Sequence, residues 1–385
     1  MSHQKFWINQ PVAHTTQQLT NVNTPTIITK PDINNINQIP IQLPENYYWY
    51  NLNINNDEDI TNLYKLLQKN YVEDNSCSLR LNYSKELLKW SLGLSKSEYL
   101  VAVRYNKNSN PFVGFISAIP STIVLSSVTY NIVEINFLCV HKNLREKRLA
   151  PVLIKEITRR VNIDNIFHAI YTSGIITSLP FASCVYYHRA LNVKKLFETD
   201  FLPLGHKMTL ANTIKYYRLP KIVNNIGLRP LLKKDCFSAY ELLNNYLKKF
   251  ELHVHFSLEE FEHWFLQDDN IMVCYVLENN GMITDMFSFY VLETTVLDNV
   301  KYNCINAVYS WYNIATTITL NSLINDALIV AYNKGFDVYN CVDILDNNTF
   351  FDKQKFKAGN GNLNYYMFNM FLKGMKSNDI GLVLV

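Results

Sequence analysis

Twice along this chain two short amphipathic helices precede a group of apolar strands and then one longer helix, an order that few architectures accommodate. In the first round residues 59–71 and 81–94 read as the helices, the second with Ser84 as N-cap and Gly93 near its stop. Residues 99–104, 112–119 and 132–140 are short apolar runs bounded by Asn, Ser or Pro, as in buried strands. A helix opens near Pro151, where the missing N–H costs nothing because first-turn donors lack intrahelical partners. In the second round residues 231–250 and 257–265 are helices, the latter with a Ser257–Glu260 capping box. Residues 271–278, 286–293 and 306–312 are strands, and residues 320–335 form a long helix closed by Gly335. Two similarly built halves follow, with residues 213–226 as connector and residues 20–58 as extended chain draped over the surface.

A chain of 385 residues with 48% hydrophobic content buries substantial cores and exceeds one simple domain. Its 36 basic residues nearly balance 33 acidic ones, which argues against a nucleic-acid coat, so any basic site is local. Seven dispersed cysteines without a C-x-x-C pair point to reduced thiols. The start MSHQKFWINQPV has no signal-peptide pattern and no 18-residue uncharged apolar run occurs, so the expectation is a cytoplasmic protein without stable membrane insertion. His253, His255 and His263 lack a clear carboxylate or cysteine partner, so no metal site is expected.

The local charge is in residues 134–160, EINFLCVHKNLREKRLAPVLIKEITRR: a carboxylate, an apolar strand, a basic loop, then a helix. Free N–H groups and the positive end of a helix dipole bind anions, and Lys142, Arg145, Lys147 and Arg148 stand around that point. A solvated charged turn is the competing reading. No G-x-x-x-x-G-K-[ST] or G-x-G-x-x-G occurs, which removes the two commonest nucleotide loops. The spacing Arg145-x-x-Arg148-x-Ala150 instead resembles the [QR]-x-x-G-x-[GA] loop of GNAT-type acyltransferases, which holds the pyrophosphate of coenzyme A.

With its flanks, residues 134–160 resemble the signature of the N-myristoyltransferase family. KFWINQPV at 5–12, YVEDNSCSLRLNY at 71–83, CVYYHRALN at 184–192 and KFKAGNGNLNYYMFN at 355–369 are similar to further motifs of that family, and the resemblance runs to the terminal GLVLV. It implies an α/β (α+β) fold of two pseudo-symmetric GNAT-like acyltransferase halves sharing a large mixed, mostly antiparallel sheet flanked by helices. Residues 1–218 would bind myristoyl-CoA; residues 219–385 would supply the peptide groove and the C-terminal carboxylate. The implied partners are myristoyl-CoA, as donor substrate and not a resident cofactor, and proteins with an N-terminal glycine. The chain is expected to act as a monomer.

Residue by residue, the resemblance assigns the acyl donor to Lys5, Phe6 and Trp7, to Phe137, Leu138, Cys139 and Val140, and to Arg145, Glu146, Lys147, Arg148, Leu149 and Ala150. The myristoyl chain itself offers roughly 10 kcal/mol of burial at about 0.8 kcal/mol per CH₂. The Phe137 and Leu138 amides would form an oxyanion hole, and the Val385 carboxylate would be the base. Asn136 and Thr172 would meet the glycine amine; Tyr71, Asp74, Tyr83, Gly174, Tyr186, His188, Tyr309, Asn360 and Leu363 would line the peptide groove, His188 facing a substrate serine. Asn360 and Asn75 replace carboxylates of the family pattern, and Leu79 and Leu81 replace aromatics, so a weakened preference for downstream lysine is expected. A catalytically silent acyl-CoA or lipidated-peptide binder would share nearly all these residues. An acetyltransferase acting on another amine would share the coenzyme A loop alone.

Overall fold

The apolar runs assemble into one fourteen-stranded mixed sheet in a computed structural model that describes residues 6–15, 24–30, 32–33, 36–72, 78–106, 111–205, 207–297 and 299–385. In chain order its strands are β1 (Tyr47–Asn51), β2 (Leu100–Tyr105), β3 (Phe112–Leu125), β4 (Val128–Val140), β5 (Ala169–Ser173), β6 (Ala182–Ala190) and β7 (Leu228–Pro230). There follow β8 (Leu252–Val254), β9 (Met272–Asn279), β10 (Met282–Val291), β11 (Ala307–Ala315), β12 (Val338–Val342), β13 (Lys357–Phe368) and β14 (Ile380–Gly381). The helices are α1 (Asp57–Asn70), α2 (Lys85–Leu92), α3 (Leu149–Ile163), α4 (Val193–Glu198), α5 (Leu210–Tyr217), α6 (Cys236–Leu247), α7 (Leu258–Phe265) and α8 (Leu320–Asn333).

The sheet runs β14-β8-β3-β4-β5-β13-β6-β12-β11-β10-β9-β7, with β2 and then β1 added along the other end of β3. One connectivity occurs twice. The antiparallel meander β2-β3-β4 continues through α3 into β5, which lies parallel to β4; β9-β10-β11 continues through α8 into β12, parallel to β11. At the centre the two parts exchange strands, because β13 lies between β5 and β6 while β6 pairs with β12. Strands from both sides of residue 218 therefore alternate there.

Helical spacing explains which faces are buried. Leu149, Leu153, Ile157 and Val161 of α3 pack with Val101, Val103, Ile116 and Val133 of the sheet. Leu323, Ile324, Ala327 and Leu328 of α8 do the same with Val273, Phe287, Phe289 and Val308. Each fully buried Leu or Ile contributes roughly 1.5–3 kcal/mol by leaving water.

Caps read from the sequence are present: the Ser84 hydroxyl accepts from the Leu87 N–H at 3.1 Å, the Ser257–Glu260 box makes both bonds, and Gly335 takes φ +84° past α8. Two expectations are corrected. The connector begins with a helix, α5, because Thr209 caps it through the Asn212 N–H at 3.2 Å and Thr213 and Tyr217 bury one face. The arm at 20–58 contains a strand, β1, whose aromatic run pairs along β2. The helix expected near Pro151 is α3, which starts at Leu149 after Arg148 (φ 62°) and has Pro151 in its first turn.

Candidate active site

Strand β4 leaves its ladder at one point. Phe115 faces Cys139 and Ser117 faces Asn136, so Phe137 and Leu138 together oppose Ile116 alone. Phe137 adopts φ 54°, an uncommon conformation for a bulky residue, and is fully buried. Its ring is held edge-on to Tyr83 at 5.1 Å and beside Tyr71 at 6.0 Å. The Phe137 N–H donates to Asn136 Oδ1 at 2.8 Å, and the Ser117 hydroxyl donates to the Asn136 carbonyl at 2.9 Å.

The chain terminus arrives at this bulge from the other half. Tyr365 OH donates to the Leu382 carbonyl at 3.0 Å, the Val383 N–H donates to Tyr312 OH at 3.1 Å, and Trp311 Nε1 donates to the Val383 carbonyl at 3.3 Å. Asn136 Nδ2 then donates to a terminal oxygen of Val385. One asparagine thus touches both the bulge amide and the terminal carboxylate. Glu134, Asn136, Thr172, Trp264, Leu384 and Val385 line a small cleft at this point.

Glu134 and Trp264 were not among the expected site residues. The carboxylate opening the 134–160 segment was the available signal, since charge inside a buried strand needs a reason. Glu134 keeps some exposure to the cleft but has protein around it. Burial pushes its carboxyl up to about 7, the Ser121 hydroxyl pulls it back and Glu260 adds to the rise. Because the folded value lies above the ordinary 4.5, Glu134 contributes stability that is full below pH 4.5 and lost as pH rises through about 7. Urea unfolding of Glu134→Gln at several pH values tests this: the stability difference, wild type minus variant, should fall between pH 4.5 and 8, and a constant difference contradicts it.

Among the residues expected to meet the donor, Phe6 meets Trp7 edge-on at 5.3 Å, Trp7 stacks on Tyr171 at 5.6 Å, and Tyr171 stacks on Tyr366 at 4.9 Å. Lys5 lies outside the described residues. Cys139 is buried, and its thiol is pushed up to about 12 by desolvation, with Arg145 pulling it down. Leu138 and Val140 are half-buried. Arg145 donates to the Asn70 carbonyl at 2.6 Å, and Arg145, Glu146, Lys147 and Arg148 are all exposed. Glu146 (φ 68°) and Arg148 (φ 62°) are both left-handed, which curls the backbone before the uncapped first turn of α3 at Leu149 and Ala150.

On the peptide side, Tyr71 and Tyr83 lie 5.8 Å apart, Tyr186 meets Tyr309 at 6.1 Å, and Tyr309 stacks on Tyr290 at 5.4 Å. Burial pushes the Tyr309 hydroxyl up to about 12, so all its chemistry here is that of a neutral phenol. His188 Nδ1–H donates to Asn340 Oδ1 at 2.7 Å, and burial holds the ring below the usual histidine value. Its Nε2 is therefore a neutral acceptor. Gly359 lies so close that a Cβ there would collide with Nε2. Leu363 pairs with Cys184, and Asn360 and Gly174 are exposed. Asp74 and Asn75 lie outside the described residues. Of the three histidines weighed as metal ligands, His253 donates to the Phe250 carbonyl and His263 to the Trp90 carbonyl, each at 2.8 Å. The six cysteines of the described residues are free, and no helix among those residues is long and apolar enough to cross a membrane.

The bulged strand and the Val385 carboxylate meet through Asn136, the basic turn before α3 follows the same strand, and the class of the protein is an acyltransferase. Residues 26–184 match the N-terminal domain of myristoyl-CoA:protein N-myristoyltransferase and residues 198–383 its C-terminal domain. The chain is 44% identical over 383 residues to glycylpeptide N-tetradecanoyltransferase 2 of Bos taurus, covering 99% of this chain and 76% of that protein. It is 42% identical over 386 residues to glycylpeptide N-tetradecanoyltransferase of Plasmodium falciparum, covering 99% and 93%. The crystal structure of Saccharomyces cerevisiae N-myristoyltransferase with bound myristoyl-CoA superposes with a TM-score of 0.94 at 38% identity, covering 99% of each chain. The chain belongs to the myristoyl-CoA:protein N-myristoyltransferase family.

Proposed function

We propose that this protein transfers myristate from myristoyl-CoA to the N-terminal glycine amine of proteins, with Val385 as base and the β4 bulge as oxyanion site. The observation that carries this is the contact of Asn136 with both the Phe137 amide and the Val385 carboxylate in one cleft.

A peptide ammonium of pKa about 8 cannot attack a thioester until it loses a proton. The Val385 carboxylate takes that proton, the amine lone pair forms the C–N bond, and the C–S bond breaks. The second amine proton passes to the departing thiolate of coenzyme A. An ordinary α-carboxyl near 3.5 is mismatched to this amine by about 6 kcal/mol, which partial burial of both groups narrows. Charge developing on the thioester oxygen makes it a stronger acceptor than Asn136 Oδ1, so it takes over the Phe137 N–H as the tetrahedral intermediate forms. Asn136 and Thr172 are then free to hold the amine. Lys147, Arg148 and the first turn of α3 face the donor's phosphates, and Trp7 walls its N-terminal side. Residues 1–218 carry most donor contacts and residues 219–385 the tail and much of the groove. The His188 Nε2 lone pair accepts from a substrate serine hydroxyl.

The test is release of coenzyme A with myristoyl-CoA and a glycine-initiated peptide, with an alanine-initiated peptide as control. Turnover with the first alone is expected. Tight myristoyl-CoA binding without release would establish the silent-binder reading instead.

A further inference from the structure

One row of side chains crosses five neighbouring strands. Tyr290 of β10 pairs with Tyr309 of β11, Tyr309 with Asn340 of β12, Asn340 with His188 of β6, and His188 with Lys357 of β13. Directly paired residues project to the same face with Cβ atoms about 4.5–5.5 Å apart, so the row is continuous. It begins in the buried tyrosine stack and ends at an exposed ammonium. Just beyond Lys357 the strand stands off: the register passes from Ala358 opposite Tyr187 to Asn362 opposite Val185, leaving Gly359, Asn360 and Gly361 looped over Tyr186. Gly359 presses against His188, which keeps that ring beside Lys357.

The charge at this end is unbalanced. No carboxylate of the described residues lies within ion-pair distance of Lys357, and the looped Asn360 is neutral. Lys355, two residues before it, is turned away to the Tyr216 carbonyl at 2.7 Å, and the exposed Lys353 adds further positive charge.

We infer that Lys357 is a specificity residue, selecting protein substrates that carry an aspartate or glutamate just beyond the residue held by His188. The inference rests on the peptide-groove reading of the proposed function and reverses the charge preference that acidic groove residues would impose. An exposed pair of this kind is worth up to about a fivefold change in an equilibrium and weakens with salt.

The test uses glycine-initiated peptides identical except for one Glu, Gln or Lys placed in turn at positions four to eight, with kcat and KM measured at low and high ionic strength. At one or two adjacent positions the wild-type protein should favour Glu over Lys about three- to fivefold in kcat/KM, mostly through KM and less at high salt. Lys357→Gln should level that ratio and Lys357→Glu should invert it. An unchanged ratio in Lys357→Glu, or a wild-type preference for Lys that survives Lys357→Gln, overturns the assignment. If no peptide is acylated, the proposed function fails on its own. The same series is then read as peptide binding by fluorescence anisotropy with myristoyl-CoA present, and the same ratios decide the role of Lys357.

Discussion

Removal of Leu384 and Val385 should lower the single-turnover rate of acyl transfer by about 10²- to 10⁴-fold, the usual worth of a positioned general base. The fold should survive, because three of the four side-chain bonds to the tail go to Leu382 and Val383, upstream of the cut. Myristoyl-CoA affinity should change little, since the basic turn before α3 is untouched. The contrast between a lost chemical step and a retained donor site is the signature sought by quenched-flow kinetics beside equilibrium binding. Full activity in the folded, truncated protein would remove Val385 from the reaction.

Replacement of Arg189 by Met should cost about 3–5 kcal/mol, the usual loss when a buried charged group is removed from its partners. Arg189 is 2% exposed, and its guanidinium donates to the carbonyls of Gln354 at 2.7 Å and Tyr217 at 3.0 Å and to that of Ala190. Burial lowers its pKa to about 10, still high enough to keep the charge at neutral pH. Methionine fills similar volume, so the loss would come from carbonyls left without a donor, not from a cavity. Urea unfolding measures it, and a loss under about 1 kcal/mol would show that the carbonyls find other partners. Arg189 also ties β6 to the turn before β13, so surviving enzyme should show a raised peptide KM.

The helices were the most readable part of the sequence because their signals are local. Ser84, the Ser257–Glu260 box and Gly335 act within a few residues, and each does in the structure what its type predicts. Strand β1 was hidden because its pairing partner, β2, lies about fifty residues on, and its run of Tyr and Trp, though strand-favouring, sits in an arm without any sustained period. The insertion of β13 between β5 and β6 has no local signal at all, since it joins residues nearly two hundred apart. The site divides similarly. Asn136, Thr172 and Val385 were named together through the resemblance, and the structure brings them into one cleft. That Phe137 is left-handed was invisible, because a phenylalanine does not advertise φ > 0 as a glycine would. Asn340 and Lys357 became neighbours of His188 only through register.

The connectivity that occurs twice also repeats its flaw. On β11, Trp311 and Tyr312 oppose the single residue Ser288 of β10, as Phe137 and Leu138 oppose Ile116. In the second half that seam is filled: Trp311 and Tyr312 grip Val383, and the Ser288 hydroxyl accepts from the Tyr312 N–H at 3.0 Å. The tail is thus a ligand tethered to its own receptor, held by effective concentration in place of affinity. A short synthetic peptide ending in LVLV, supplied at millimolar concentration, should then restore part of the activity of a chain truncated before Leu382.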